Sequence, residues 1–472
     1  MDKSAIDTPS REIELGNIPV HLRTALRRAL EFEARAPAPR SAEEAEQCEE
    51  QLRAIADEFF GALLTPVLQR AVRSAAVGDA ASALVGHLPR RMRSDGLETV
   101  NVRTSRGTTV PVTTPYYREK HARRAKRRPG LYPALVVLGI YDRCTPKLAS
   151  DASRAVAMLS SLAEAQAQLR SEGIALDIKT LRSTAYRYAA RARAAQQSAA
   201  CGLLDRVTGK RVVVSLDGGR VRVRRKKRGP KTQKGRNRFH TDWKEPKLLI
   251  LYVVGDDGRP SQTWAPIIDG TLRGPEAVFA LLLSYARQIG LNAADKVLFI
   301  ADGAPWIWRR LQRLIAALGL LPTQVLGLID FYHAAKQLSD AVKLRRWSAT
   351  QRTRWLNRTR GLLKRARVDE VITALRELCR GRTAGKIRTH LNYFLKNRHR
   401  FAYTTMVGLG LPRGSGAVES AIRRVINLRI KGASIYWLPE SVDAILLLRS
   451  FYKSGRWNCL QRMAMTPVGV SA

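Results

Sequence analysis

Three short apolar runs in the middle of the chain each end on an aspartate. They are Lys210-Arg-Val-Val-Val-Ser-Leu-Asp217, Val297-Leu-Phe-Ile-Ala-Asp302 and Val325-Leu-Gly-Leu-Ile-Asp330. Runs this short and rich in branched residues read as buried strands. Val221-Arg-Val-Arg alternates as a second strand would, and Leu248-Leu-Ile-Leu-Tyr-Val-Val reads as a third, buried strand. Helical spacing follows over Pro275 to Ile289, over Trp306 to Leu318 and from Tyr332 onward. The order is therefore strand, strand, strand, helix, strand, helix, strand, helix. Such alternation builds an α/β sheet whose strand ends deliver side chains to one edge.

Three early antiparallel strands followed by alternating helices and strands is the order of a ribonuclease-H-like core, an order that other α/β folds partly share. The fold class expected is an α/β ribonuclease-H-like catalytic core over 210–455 with an all-helical insertion over about 344–411, plus an N-terminal, mainly helical DNA-binding region. The insertion is very basic, with Lys343, Arg345, Arg346, Arg352, Arg354, Arg358 and Arg360 in or beside it. Its Trp347 and Trp355 lie eight positions apart, close to two helical turns. Core packing is the commoner reason for such a pair, and base stacking the rarer one.

Lys and Arg total 82 against 40 Asp and Glu, a net charge of +42. Self-repulsion on that scale costs stability unless a polyanion neutralises it, and phosphate backbones fit because each neutralised phosphate releases a counterion. A ribosome-associated or nucleic-acid-coating protein would meet the same condition. Residues 1–90 read as an N-terminal helical region, with helical spacing over Glu43 to Leu64 and punctuation at Pro66 or Gly78. Residues 91–143 read as a small, basic, β-containing region: Thr99 to Val112 alternates about Ser105-Arg-Gly as a hairpin does. The basic run Arg118 to Arg128 behind it either meets phosphate or is simply solvated.

Residues 144–200 read as helical again. Ser150 is placed to cap a helix running through Leu169, Gly173 to end it, and a short helix after Asp177 carries Arg182, Arg187, Arg191 and Arg193. Helix, glycine turn and basic helix suggest a DNA-reading helix-turn-helix, with an ordinary basic hairpin of helices as the alternative. The segment Arg220 to Lys247 is the densest in cations, among them Arg222, Arg224, Arg225, Lys226, Lys227 and Lys234. It is a clamp on DNA backbone or a solubilising hairpin, and its closeness to Asp217 favours the clamp. Residues 456–472 read as a C-terminal tail.

Asp217 and Asp302 each follow an apolar run and precede a glycine, so their side chains meet if their strands are neighbours. Glu419 stands in Arg413-Gly-Ser-Gly-Ala-Val-Glu, early in a long helix expected from Ala417, behind a glycine-rich approach that lets backbone come close to another surface. Three converging carboxylates suit two-metal phosphoryl transfer: two Mg²⁺ (or Mn²⁺) ions roughly 4 Å apart activate the attacking oxygen and stabilise the leaving one. Taken alone, either Asp-Gly is more often turn chemistry. Arg423, four positions beyond Glu419, shares its face and is placed to hold that carboxylate or a DNA phosphate. Asp330 and His333, at a helix start, either assist at the reacting phosphate or only shape the helix.

The cysteines, Cys48, Cys144, Cys201, Cys379 and Cys459, are scattered and contain no C-x-x-C pair, so zinc is not expected and free thiols in a reducing compartment are. No apolar run reaches a membrane span and the first residues hold no secretory apolar stretch, so a soluble, cytoplasmic, nucleoid-associated protein is expected.

Asp217-Gly, Ala301-Asp-Gly-Ala-Pro-Trp-Ile-Trp, Leu328-Ile-Asp-Phe-Tyr-His-Ala, Gly414-Ser-Gly-Ala-Val-Glu-Ser and Arg429-Ile-Lys-Gly-Ala-Ser-Ile-Tyr-Trp together resemble the prokaryotic insertion-sequence transposases of the ISKra type, distant relatives of the Mutator-like superfamily. The resemblance spans about 210–455, and Cys144-Thr-Pro-Lys-Leu-Ala-Ser and Leu176-Asp-Ile-Lys-Thr-Leu extend it upstream. It implies an Asp-Asp-Glu site of Asp217, Asp302 and Glu419, a D-x-x-H element at Asp330 and His333, and terminal inverted repeats as substrate. Hydrolysis would free a 3′-hydroxyl that attacks target DNA, and synapsis of two ends implies a homodimer or larger assembly. Relatives often carry paired cysteines in the N-terminal third; here the stretch from Tyr116 to Pro146 offers only Cys144. A ribonuclease-H-like nuclease or resolvase without strand transfer, and a non-catalytic DNA-binding relic, are the alternatives.

Overall fold

Serine side chains cap the starts of the second and third helices. The computed structural model describes residues 19–120, 130–197, 205–233, 235–432 and 435–466. The sequence features at 1–18, at His121–Pro129 of the basic run, at Cys201, Lys234, Ala433 and Ser434, and at 467–472 lie outside the described residues. The chain divides into two compact units, one of residues 1–155, 163–184 and 467–472, the other of 156–162 and 185–466.

In the first unit, α1 (Val20–Arg35), α2 (Ala42–Arg73) and α3 (Ala75–Gly86) precede a hairpin of β1 (Met92–Arg103) and β2 (Thr109–Glu119). Ser41 starts α2 by accepting the Glu44 N–H at 3.1 Å, and Ser74 starts α3 through Val77 at 3.4 Å. Pro66 does not end α2, which runs straight through it, and Gly78 lies inside α3. Leu64, Leu68 and Val72 pack that stretch of α2 onto Val100, Val102, Val110 and Val112 of the hairpin. Burying this face outweighs the one backbone hydrogen bond that a proline removes. The hairpin forms about Ser105, with Val102 opposite Val110 and Val100 opposite Val112.

Next come α4 (Pro133–Val137), α5 (Pro146–Met158), α6 (Leu162–Ser171) and α7 (Ile178–Gln197). The single helix expected from Ser150 through Leu169 is two helices. The first starts earlier, where Thr145 Oγ1 accepts the Leu148 N–H at 3.4 Å and Pro146 presets φ, so Ser150 is buried within the helix instead of capping it. Gly173 at φ +81° closes α6, and Asp177 caps α7 by accepting from the Thr180 N–H and Oγ1–H at 2.9 and 2.6 Å. The basic helix is not short: α7 has 20 residues, and the division between the two units falls within it.

The second unit holds β3 (Arg211–Gly218), β4 (Val221–Lys226), β5 (Phe239–Lys244), β6 (Lys247–Val253), β7 (Ile267–Thr271), α8 (Pro275–Gln288), β8 (Lys296–Ala301), α9 (Pro305–Leu318), β9 (Val325–Ile329) and α10 (Phe331–Lys343). Its central sheet has five strands in the order β7-β6-β3-β8-β9. β6 runs antiparallel to both its neighbours, while β3, β8 and β9 are parallel. One expected strand is placed elsewhere: Val221-Arg-Val-Arg pairs with β5 in a separate two-stranded ribbon, and the third antiparallel strand of the sheet is Ile267–Thr271. Alternation marks a strand with one buried face, and in β4 only Val221 and Val223 are buried. β7 is wholly buried and five residues long, so it lacks that signature.

After α10 come α11 (Ala349–Lys364), α12 (Val368–Leu378), α13 (Ala384–Lys396) and α14 (Tyr403–Gly408), with Trp347 and Trp355 both half-buried. The chain then forms α15 (Gly416–Ile422), a π-helical turn (Arg423–Asn427), α16 (Pro439–Lys453) and α17 (Trp457–Met465). The long helix expected from Ala417 is α-helical only as far as Ile422 and then continues as the π-helical turn to Asn427. That turn is held by the buried Arg449, whose guanidinium donates to the carbonyls of Arg424 and Val425. Residues 457–465, read from the sequence as part of a tail, bury Trp457, Leu460 and Met463, with Trp457 stacked on Tyr188 at 6.2 Å. No helix among the described residues is long and apolar enough to cross a membrane.

Candidate active site

Adjacent parallel strands end together, and here each ends on a carboxylate. Ser215 of β3 pairs with Ile300 of β8, so Asp217 and Asp302, each two residues further on, come side by side on one face of the sheet. Ala301 pairs with Ile329 of β9, and the Asp330 N–H donates to the Ala301 carbonyl at 2.9 Å, which sets Asp330 beside Asp302. Asp217 and Asp302 are half-buried. The bend after Asp302 is fixed twice: its Oδ1 accepts the Ala304 N–H at 2.9 Å, and its carbonyl accepts Trp308 Nε1–H at 2.7 Å. A Cβ on Gly303 would stand 2.3 Å from the Tyr393 ring, so no larger residue fits there.

Asp330 is fully buried and organises what surrounds it. Its Oδ1 caps α10 by accepting the His333 N–H at 2.7 Å and lies 3.0 Å from His333 Nδ1. Its Oδ2 accepts the Ser415 N–H, while the Phe331 N–H donates to the Arg413 carbonyl. These bonds draw the glycine-rich loop onto the sheet edge. Gly414 eases that approach, because a Cβ there would come within 3.2 Å of Asp330 Oδ2 and 3.3 Å of the Tyr332 ring, tight enough that one of them would have to shift. The loop leads directly into α15, whose first turn carries Glu419, exposed. Ligand atoms of Asp330, His333 and Glu419 lie within 4.8 Å of one another.

Electrostatics tie Asp217 and Asp302 to the same cluster. Burial pushes the Asp217 carboxyl up; the Gly218 amide and His333 oppose this, while Asp302 and Glu419 add to it, and the net shift is upward. Burial alone would also raise Asp330, but the His333 ring, the Ser415 amide and the His333 amide outweigh it and hold the carboxyl below its usual range. His333 is raised first by its hydrogen bond to Asp330, against burial, and further by the charges of Asp330, Asp217 and Asp302. Acidic groups therefore outnumber basic ones here: Asp217, Asp302, Asp330 and Glu419 stand against the single His333 ring.

An oxygen-rich donor set suits hard divalent cations such as Mg²⁺ or Mn²⁺. Asp217 and Asp302 repel one another and Glu419 is open to solvent, so a cation would relieve a strain the protein leaves in place. Asp330 differs, because amides and the imidazole engage both its oxygens. A cleft of about 590 Å³ between α7, α8 and α16, lined by Arg193, Gln196, Thr271 and Asp443, holds none of these residues, and pocket size is no guide to the chemistry here.

Other expected site residues are spread more widely. Arg423 is exposed, and among the described residues no ion pair joins it to Glu419; an exposed pair of this kind gains little to offset the ordering of two side chains. Arg182 and Arg187 are exposed on α7, whereas Arg191 is half-buried with Nε 3.3 Å from the Ala464 carbonyl. Arg193 turns inward and makes a two-pronged ion pair with the fully buried Asp269 of β7, at 2.6 and 2.8 Å, which Tyr285 Oη joins at 2.7 Å. The sequence carried a signal for Asp269, since Ile267-Ile-Asp-Gly is a further apolar run ending in Asp-Gly. Arg224, Arg225, Lys226 and Lys227 are exposed on or beside the β4–β5 ribbon, and Arg222 is half-buried between aromatic rings.

No protein-family model and no curated protein matches the chain. Among solved structures it is similar to the Drosophila P element transposase strand transfer complex, at 12% sequence identity over 67% of this chain and 80% of that one, with a TM-score of 0.22. Similarity at that score does not establish a shared fold.

Proposed function

We propose that the chain is a transposase that binds DNA at the terminal repeats of a mobile element and carries out metal-dependent strand cleavage and strand transfer on a ribonuclease-H-like catalytic unit. The observation that carries this reading is that strand register sets Asp217, Asp302 and Asp330 side by side, while ligand atoms of Asp330, His333 and Glu419 lie within 4.8 Å of one another. The strand order β7-β6-β3-β8-β9, with β6 alone reversed against β3, supports the fold assignment, and a net charge of +42 supports a phosphate-backbone partner.

Asp217, Asp302 and Glu419 are the residues that would hold Mg²⁺ or Mn²⁺. Divalent cations bound there supply activation of the attacking oxygen and stabilisation of the leaving one. Asp330 is the positioning residue: it holds Ser415, and through it the approach to Glu419, while orienting His333. With Nδ1 turned to Asp330, the second ring nitrogen of His333 is left to hold a proton near a non-bridging phosphate oxygen. Exposed cations of α7 and of the β4–β5 ribbon would neutralise flanking phosphates. Joining two ends needs at least two copies of the chain.

The test is cleavage of labelled duplex carrying the repeats that flank its own coding sequence, with Mg²⁺ or Mn²⁺, by wild type and Asp302→Ala. Cleavage and joining by wild type alone are expected. Cleavage without joining would mean a nuclease, and equal activity in Asp302→Ala would remove the site.

A further inference from the structure

The β4–β5 ribbon has a chemical face that backbone clamping does not explain. Side chains directly opposite in an antiparallel pair share a face. On one face, Arg222 is opposite Trp243, Arg224 opposite Thr241, and Lys226 opposite Phe239. One strand thus offers three cations and the other two large rings. Trp243 is 57% exposed and Phe239 40% exposed, so neither serves as core. The other face of β4 supplies the packing, through the buried Val221 and Val223.

A third ring completes the surface. Trp437 pairs with the ribbon, donating its N–H to the Arg222 carbonyl at 3.0 Å and accepting the Arg224 N–H at 2.7 Å. This brings Tyr436 to 5.5 Å from Phe239. Arg222 then lies 5.6 Å from the Trp243 ring and 5.0 Å from Tyr436, and Arg224 lies 4.9 Å from Phe239. Guanidinium groups held against rings orient both, Arg222 being fixed further by a bond to the Gly432 carbonyl, while Trp243 and Phe239 stay exposed.

Duplex DNA presents phosphates and groove edges, but the faces of its bases are covered by stacking. Only unpaired bases have free π faces, and they stack on aromatic side chains while cations follow the backbone. Of the two kinds of DNA, the unpaired strand is the one that uses every group on this face. Location agrees: Arg222 is five positions beyond Asp217. At full extension they span at most about 17 Å, so the root of the ribbon stays beside the carboxylate cluster.

We propose that this face is a stacking platform for unpaired DNA bases flanking the phosphate at the acidic site. The proposal rests on the strand-cleaving function proposed above. Its test is fluorescence anisotropy with the full chain, using a labelled duplex, the same duplex with a short single-stranded tail, and the free single strand. Wild type should prefer the tailed DNA about tenfold over the plain duplex. Trp243→Ala with Phe239→Ala should abolish that preference and leave plain-duplex affinity and its salt dependence unchanged, whereas Trp243→Phe should keep most of it. Both residues are exposed, so the far-ultraviolet spectrum and melting temperature should stay as in wild type. An unchanged preference in the double variant overturns the platform while leaving the cleavage function standing. So does a loss of self-association in sedimentation without any change in DNA binding, which would make the face a contact between copies. If wild type binds none of the three DNAs, the proposed function fails as well.

Discussion

Two aspartates of one sheet, on strands separated by β6, have opposite fates. Asp269 of β7 is fully buried and closed: Arg193 grips both its oxygens, and Tyr285 and Gln196 add bonds to one of them. Asp217 of β3 is half-buried and open: Asp302 and Glu419 push against it, and only His333 and one amide favour its charge. Both sit in an apolar run that ends in Asp-Gly. The difference is whether the fold supplies the counter-charge. Where it does, the carboxylate is architecture. Where it leaves a surplus, the carboxylate is free to take a ligand.

The largest expected effect separates the two by chemistry. Asp217→Asn should lower metal-dependent DNA cleavage by about a thousandfold or more while the protein stays folded, because one reacting-site ligand is lost. A variant with near-normal turnover would place the chemistry elsewhere.

The next reverses the readout. Arg193→Met leaves the buried Asp269 without its counter-charge and should cost about 3–5 kcal/mol of stability in urea denaturation. Adding Asp269→Leu should recover much of that loss, since an isosteric apolar pair carries no orphaned charge. Loss of cleavage per folded molecule in the double variant would mean the pair belongs to the site.

Cation binding should sharpen the contrast. Mg²⁺ or Mn²⁺ at a hundred times its dissociation constant should stabilise wild type by about 2.7 kcal/mol, with thermal melting as the readout. The rise should vanish in Glu419→Gln and persist in an Asp269 variant. Equal stabilisation of wild type and Glu419→Gln would count against the carboxylate edge as the binding site.

The smallest effect is a pH dependence. The His333 pKa is raised in the folded chain, chiefly by its bond to Asp330. Its contribution to stability is therefore fully present below the ordinary histidine value of about 6.5 and fades as pH rises through the folded value. The stability difference between wild type and His333→Gln, measured without divalent cations, should shrink from pH 6 toward alkaline pH. A difference that is flat with pH would mean that folding leaves the His333 pKa unchanged.

Much of the site was legible because its signals are local. An apolar run followed by Asp-Gly marks a strand end, and Gly414-Ser-Gly before Glu419 marks a close backbone approach, which Asp330 makes real by binding Ser415. Other features were not local. Alternation pointed to Val221–Lys226 as a sheet strand, because a ribbon with one buried face produces the same pattern as a strand at the edge of a core. β7 was missed because total burial erases alternation. Pro66 stays within its helix and the helix from Ala417 turns π-helical after Ile422; packing on the hairpin decides the first, and the buried Arg449 supports the second.

The sequence by itself determined which segments are strands ending on acid, where the chain is densely basic, and that Glu419 follows a tight turn. These follow from backbone geometry, side-chain period and charge, which need no partner. Only the tertiary structure decided that Arg193 neutralises Asp269 while Asp217 is left against Asp302 and Glu419. An aspartate's role depends on which charge stands within a few ångströms of it, and strand pairing brings those charges together from positions far apart in the chain.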